Sequence, residues 1–214
     1  MNMTKDQLTI IQTLEMFLFV AKRMVDSKDI LTEADKKIGD GDHGVNMARG
    51  FQAVIKKLAE KSFTKIGDLL NDIGMCLLNS VGGAAGAIFG TFFRGGAKNL
   101  MQETVFNSRT LSIMLSDALE AIKQRGKAKL GDKTMVDALE PAVMISKETI
   151  SLSLSDALSL IIKEAEKGVE KTKEMVATIG KAKTLGERSL GFSDPGAIST
   201  SMILRYMLEY INLE

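Results

Sequence analysis

The residues best suited to chemistry lie in one short stretch, ADKKIGDGDHGVNMARGF, which runs from Ala34 to Phe51. It contains the only histidine of the chain and three aspartates, Asp35, Asp40 and Asp42. Aspartates spaced five and two positions apart do not share one helical face, because helical neighbours are three or four residues apart. The intervening glycines permit a turn that brings the carboxylates together. Since clustered carboxylates repel one another unless a cation lies among them, we predict a site for a hard ion such as Mg²⁺.

Two other interpretations of this stretch fit its residues less well. An EF-hand is excluded, because the twelfth position counted from Asp40 is Phe51 and not the required glutamate. An ordinary turn, in which Asp42 caps a helix beginning near Gly44, needs only one carboxylate and leaves the other two unexplained. His43 stays open between a local hydrogen-bonding role and a role in contacting a phosphate or positioning a reacting group.

A second stretch, SVGGAAGAIFGTFFRGGA, combines glycine spacing with a helix start. Gly82, Gly86 and Gly90 recur every four residues and form a small-residue face that allows another helix to approach closely. Gly82 and Gly83 also precede the helix, where free backbone amides and the positive end of the helix dipole favour an anion. The stretch lacks the GK[ST] ending of a P-loop and follows no strand, so neither nucleotide fingerprint of that kind applies.

Two further junctions carry polar helix starts. In GKAKLGDKTMVDALEP, Asp132 and Thr134 announce a helix. In LGERSLGFSDPGAIST, Asp194 is predicted as the N-cap and Pro195 as the first residue of the last helix. Capping alone explains both junctions, and Arg188 is then either solvated or a phosphate ligand.

The composition favours one domain covering residues 1–214 and argues against several partner classes. With 28 Lys and Arg against 27 Asp and Glu, the net charge of +1 indicates neither a nucleic-acid binder nor a polybasic membrane binder. The single cysteine, Cys76, excludes an internal disulfide and predicts a small core residue in a reducing cytoplasm. The uncharged run 74–93 is long enough to span a bilayer, but its glycines favour a buried element instead.

Apolar residues recur at helical spacing along most of the chain, and strand signals are nearly absent. We therefore expect an all-α bundle or barrel of antiparallel amphipathic helices, without a sheet. Pro141 predicts a kink within its helix. The predicted helices cover residues 5–25, 32–37, 45–60, 66–78, 84–99, 111–125, 134–150, 154–177 and 197–211.

Taken together and in this order, four motifs resemble the nucleotide-binding L subunit of dihydroxyacetone kinase. They are IGDGDHGVNMARGF, SVGGAAGAIFGTFFRGGA, RGKAKLGDKTMVDALEPAV and LGERSLGFSDPGA. The resemblance implies a closed barrel of eight antiparallel helices with Mg-nucleotide at one end. It also implies that Asp35, Asp40 and Asp42 hold two Mg²⁺ ions and, with His43, form the catalytic centre. The implied nucleotide contacts are His43, Asn46, Gly82, Gly83, Ala84, Ala85, Gly131, Met135, Arg188, Asp194, Pro195 and Gly196.

The family resemblance further implies a phosphoryl relay in which bound ADP acts as a coenzyme. Phosphate would arrive from a phosphohistidine on the M subunit of the phosphotransferase system and leave to dihydroxyacetone on a K subunit. One departure stands out, since the family often has serine where this chain has Ala85. Two alternatives remain: a module of an ATP-dependent ketose or triose kinase that exchanges ADP for ATP, and a nucleotide-binding regulatory partner.

Overall fold

The computed structural model describes residues 6–213, and in this part of the chain helices dominate, as expected from the sequence. The α-helices are α1 Ile10–Asp26, α2 Lys28–Ile38, α3 His43–Ala59, α4 Ile66–Ser80, α5 Gly83–Gly96, α6 Ser108–Gly126, α7 Val136–Glu148, α8 Leu154–Lys171 and α9 Pro195–Leu213. Two 3₁₀ helices, Thr172–Glu174 and Lys181–Ser189, lie between α8 and α9. None of the described helices is both long and apolar enough to cross a membrane.

Eight of these helices form a closed ring. From α3 to α9, each helix packs against the next in chain order, while α1 packs against both α3 and α9. Short links between packed neighbours are typical of antiparallel helices. The remaining helix, α2, lies outside the ring against α3 and against the Lys181–Ser189 helix. The ring is therefore consistent with a helical barrel, in which alternate connecting segments lie at the same end.

The expectation of no sheet is wrong in one small region. Strand β1, Gln7–Thr9, pairs antiparallel with β2, Val105–Asn107, and Leu8 lies opposite Phe106. Both of these side chains are fully buried. A strand of three residues is too short to show an alternating pattern, which explains why the sequence did not reveal it.

Several helix boundaries also differ from the prediction. Helix α1 begins at Ile10, because Thr9 and Gln12 form a capping box, so residues 6–9, which the prediction included, do not belong to it. Lys5, where the prediction began, lies outside the described residues. Helix α2 is longer than predicted, and α8 ends at Lys171, where a 3₁₀ turn and an irregular segment replace the expected continuation to Ala177. This irregular segment covers part of the site described below.

The uncharged run forms a pair of core helices, as expected. It is divided between α4 and α5 by a turn at Val81 and Gly82. Glycine at position 74 permits a close approach of the two helices, since a Cβ atom there would lie only 2.7 Å from the carbonyl oxygen of Gly90. Half-buried Cys76 packs against the hydrophobic core.

The core contains edge-on phenylalanine contacts. The ring centroids of Phe17 and Phe93 are 5.9 Å apart, and those of Phe92 and Phe93 are 5.0 Å apart.

Helix α7 runs through Pro141, which has no N–H to donate to the carbonyl of Asp137. That carbonyl lies against α8, where a Cβ atom on Gly168 would be only 2.1 Å away.

Candidate active site

The three aspartates meet where α2 passes into α3. Asp35 is buried in the last turn of α2, whereas Asp40 and Asp42 are exposed in the link to α3. Each offers a carboxylate oxygen within 4.8 Å of the others. Gly41 has a φ of 76°, a left-handed conformation that glycine adopts without steric cost. The sequence prediction that a glycine turn gathers these carboxylates therefore agrees with the geometry.

The geometry fits a hard divalent cation. Such an ion takes oxygen ligands, and the three carboxylates supply them from a compact turn. Gly39 leaves the necessary room, because a Cβ atom there would lie 2.1 Å from Asp35 Oδ1. Asp35 is fixed on its other side, where its Oδ2 accepts a hydrogen bond of 3.2 Å from the backbone N–H of His43.

Asp42 does not cap α3 with its side chain. It occupies the residue before the helix but makes no capping hydrogen bond. Its Oδ2 accepts a hydrogen bond of 3.2 Å from Lys181 instead. The interpretation of this stretch as an ordinary capped turn is therefore wrong.

Lys181 is a charged neighbour of the acid cluster that the sequence did not reveal. Its Nζ lies 2.5 Å from Asp40 Oδ2 as well as 3.2 Å from Asp42 Oδ2. Hydrogen bonding to Lys181 holds the pKa of Asp40 below its usual value, and the pKa of Lys181 is raised in turn. Because 141 positions separate Lys181 from Asp40, no local motif indicates the contact.

His43 is buried at the start of α3 and joins two helices. Its Nε2 lies 2.8 Å from Ser199 Oγ on α9, and its ring centroid is 6.2 Å from that of Phe89. Burial lowers the pKa of the imidazole, which outweighs the opposite influence of Asp35 and Asp42. The histidine thus makes a local hydrogen bond to α9 and also lines the cavity described below.

The start of α5 presents free backbone amides to the cavity that Asp35 and Asp42 also line. Gly82 is the N-cap, makes no side-chain capping bond, and is followed by Gly83 with a φ of 67°. The first amides of a helix have no intrahelical partner and attract anions. A Cβ atom on Gly83 would meet nothing within 4 Å, so this side is open.

Asn46 and Arg49 lie behind this helix start. The Arg49 Nη2 donates to Asn46 Oδ1 at 2.8 Å, and its Nε donates to the carbonyl of Ser80 at 2.8 Å. A Cβ atom on Gly82 would be 3.0 Å from Arg49 Nη2. Asn46 therefore supports the turn and is not among the residues lining the cavity, while Arg49 adds a positive charge that the sequence analysis missed.

The remaining wall comes from the α6–α7 link and the start of α9. Asp194 caps α9, since its Oδ2 accepts a hydrogen bond of 2.8 Å from the backbone N–H of Ala197, as predicted. Burial raises the pKa of Asp194 to about 7. Gly131 is exposed, and its N–H donates to Asp137 Oδ1 at 2.6 Å, outside the cavity lining. Arg188 is likewise exposed and outside the lining.

A cavity of about 230 Å³ joins these parts. Of the predicted residues, it is lined by Asp35, Asp42, His43, Gly82, Gly83, Ala84, Ala85, Met135, Asp194, Pro195 and Gly196. Its lining also includes apolar side chains that the sequence analysis did not name: Ile38, Ile88, Phe89, Ile122, Val136 and Ile179. A polar part with carboxylates and free amides thus adjoins an apolar part, an arrangement that suits a ligand with an anionic end and an apolar or aromatic end.

Comparisons with known proteins show the family of the chain. The DAK2 domain model matches residues 37–209. The ADP-binding subunit DhaL of the PEP-dependent dihydroxyacetone kinase 1 from Listeria innocua is 38% identical over 188 residues, covering 88% of this chain and 90% of the relative. The corresponding subunit from Escherichia coli K12 is 40% identical over 181 residues, covering 84% and 86%.

A solved structure gives the same fold. The dihydroxyacetone kinase from C. freundii, in complex with AMP-PNP and Mg²⁺, superposes with a TM-score of 0.73 at 25% identity. The alignment covers 92% of this chain but 33% of that protein, so the chain spans about a third of its length. From the matched domain and the relatives that align along most of their length, the chain belongs to the DAK2 domain family.

Proposed function

We propose that this protein is the ADP-binding L-type subunit of a PEP-dependent dihydroxyacetone kinase. The observation that carries the proposal is the shared cavity, in which Asp35 and Asp42 line one part and the open helix start at Gly82 and Gly83 lines another. Phosphoryl transfer needs positioning and charge neutralisation more than a covalent catalyst, and this arrangement offers both. The names of the relatives that match along most of their length support the same assignment.

In this proposal the acid cluster holds the metal and α5 holds the phosphates. Asp35, Asp40 and Asp42 bind two Mg²⁺ ions, which would neutralise charge on the phosphate oxygens during transfer. The backbone amides from Gly82 to Ala85 receive the phosphates at the positive end of the helix. Ala85 provides no hydroxyl, so this contact rests on backbone donors.

The apolar residues of the cavity take the base and ribose end of the nucleotide. Met135, Ile179 and Phe89 offer side chains of suitable character on the cavity wall. Asp194, Pro195 and Gly196 border the nucleotide from the start of α9, and His43 stays neutral while it fixes α3 against α9. Gly131, Asn46 and Arg188 lie outside the cavity lining. Their proposed contacts with the nucleotide therefore require a change in the surrounding loops.

The chain then relays a phosphoryl group and keeps ADP as a coenzyme. The donor is a phosphohistidine on an M subunit of the phosphotransferase system, and the acceptor is dihydroxyacetone bound to a K subunit. Both partners belong to the cytoplasm, where this chain would act. In the ATP-dependent alternative, the same site exchanges ADP for ATP at each turnover. In the regulatory alternative, the K-like partner is a transcription factor or a pseudo-enzyme.

Nucleotide retention tests the proposal. We would purify the protein without added nucleotide, dialyse it extensively with Mg²⁺, denature it and identify the released nucleotide by chromatography. Near-stoichiometric ADP supports a captive coenzyme, whereas an empty protein that binds ATP reversibly supports the exchanging kinase. A protein that binds neither nucleotide contradicts the proposal.

A further inference from the structure

The segment between α8 and α9 lies over the acid cluster, and hydrogen bonds hold it near both ends. We call residues 175–193 the cover segment. Thr178 Oγ1 donates to Asp132 Oδ1 at 2.6 Å, and the backbone N–H of Gly191 donates to the carbonyl of Lys173 at 2.7 Å. Buried Lys133 donates from its Nζ to the backbone carbonyl of Thr172, just before the segment, and to that of Phe192, near its end. The two ends of the cover segment are therefore held by contacts that do not involve the aspartates of the acid cluster.

The middle of the cover segment is held differently. Lys181 reaches the carboxylates of Asp40 and Asp42 through its ammonium group. Gly180 and Gly186, on either side, have φ values of 75° and 54°, which glycine adopts readily and which let the chain bend there. The side chains of Lys181, Asp40 and Asp42 are each about half exposed, at 53%, 54% and 50%. An ion pair with that exposure is screened by water and contributes little to stability.

The same carboxylates belong to the proposed metal site. Their oxygens and one from Asp35 lie within 4.8 Å of one another, so an ion among them would be close to the ammonium of Lys181. The positive charges of the ion and of Lys181 would repel each other. A divalent cation also binds the carboxylate oxygens that now accept hydrogen bonds from Lys181. The weakly held pair is the contact that yields.

We infer that Lys181 and a divalent cation compete for Asp40 and Asp42, so that metal binding releases the middle of the cover segment from the acid cluster. The inference rests on the proposed function, since it takes these aspartates as metal ligands. Its consequence is that the cover segment stays anchored at Asp132 and Lys133 but moves at Lys181 when the metal binds. Entry of the ion and opening of the site are then one event.

Lys181→Met tests the competition, with Lys183→Met as the matched control. Lys183 is an exposed lysine in the same 3₁₀ helix, so its loss changes the net charge equally. Titration with Mn²⁺ in the absence of nucleotide, followed by electron paramagnetic resonance of the free ion, gives the affinity. We expect Lys181→Met to bind Mn²⁺ about tenfold more tightly than the wild type. Lys183→Met should stay within about twofold of the wild type, because its charge is not paired with the ligands.

Hydrogen exchange of the cover segment provides a second readout. Adding Mg²⁺ to the wild type should speed exchange at the amides around Lys181, while Lys181→Met exchanges quickly with or without the ion. Equal Mn²⁺ affinity in all three proteins, or slower exchange with Mg²⁺ in the wild type, would contradict the competition between Lys181 and the ion. Neither result would contradict the metal site itself. Failure of all three to bind Mn²⁺ overturns the metal site and the competition together.

Discussion

The imidazole of His43 and the hydroxyl of Ser199 are 2.8 Å apart in the interior of the protein, and they join the start of α3 to α9. Both residues are buried. The contact fixes the helix that follows the acid cluster against the helix that begins at Asp194. This hydrogen bond therefore links two walls of the cavity.

Removing this contact should destabilise the protein. In Ser199→Ala the buried imidazole nitrogen loses its partner, and we expect the free energy of unfolding to fall by about 1–3 kcal/mol. Urea denaturation followed by circular dichroism measures the change. Ser159→Ala, on the exposed face of α8, is the control and should change stability by less than about 0.5 kcal/mol. Equal effects in the two variants would show that the His43 contact has no special weight.

Asp40→Asn should weaken metal binding while leaving the fold intact. The change removes one carboxylate from the cluster but keeps the size of the side chain, so we expect Mn²⁺ affinity to fall about tenfold or more. Retention of nucleotide should fall with it. Asp29→Asn, an exposed carboxylate in the first turn of α2, is the control. Unchanged metal affinity in Asp40→Asn would remove this residue from the proposed ligand set.

Gly39→Ala should disturb the cluster through one residue, Asp35. The backbone of Gly39 is extended, with a φ of −142°, so alanine is tolerated there and only its Cβ matters. That atom would lie 2.1 Å from Asp35 Oδ1 and must displace the carboxylate. We therefore expect weaker Mn²⁺ binding in this variant, measured by calorimetric titration.

The effect of Gly39→Ala on stability should depend on Asp35. In the background of Asp35→Ala the added methyl meets no carboxylate, so its cost should largely disappear, as a double-mutant cycle can measure. Additive changes in the free energy of unfolding would contradict the contact between these two positions.

The stability of the protein should depend on pH through Asp194. Burial raises the pKa of Asp194 to about 7 from an unfolded value near 3.8, so the folded protein binds this proton more tightly. The stabilisation is fully present below the unfolded pKa and is lost as the pH rises through about 7. The contribution of this residue therefore decreases across that interval.

Asp194→Asn isolates this dependence. Asparagine keeps the ability to cap α9 but does not titrate. Compared with the wild type, the variant should show a smaller loss of unfolding free energy between pH 5 and about pH 7, measured by urea denaturation at several pH values. Identical slopes in the two proteins would mean that Asp194 titrates normally.

The sequence predicted the parts of the site that depend on local chain geometry. The turn that gathers Asp35, Asp40 and Asp42 follows from glycine spacing, and the N-cap at Asp194 follows from the residue before a proline. These features arise within a few residues of one another. The open start of α5 at Gly82 is of the same kind.

The sequence missed the parts that depend on distant contacts. Lys181 meets Asp40 only because the chain between α8 and α9 folds back over the cluster, and Ser199 meets His43 only because the ring of helices closes. No periodic pattern marks either pair. The β1–β2 pair escaped for a different reason, since three residues cannot establish an alternation.

A crystal structure of the protein with ADP and Mn²⁺ tests the central claim most directly, because the anomalous signal of manganese locates the ion independently of the protein. The account predicts manganese on the carboxylates of Asp35, Asp40 and Asp42, with phosphate oxygens at the backbone amides from Gly82 to Ala85. Manganese away from these aspartates, or phosphates away from the start of α5, would contradict it.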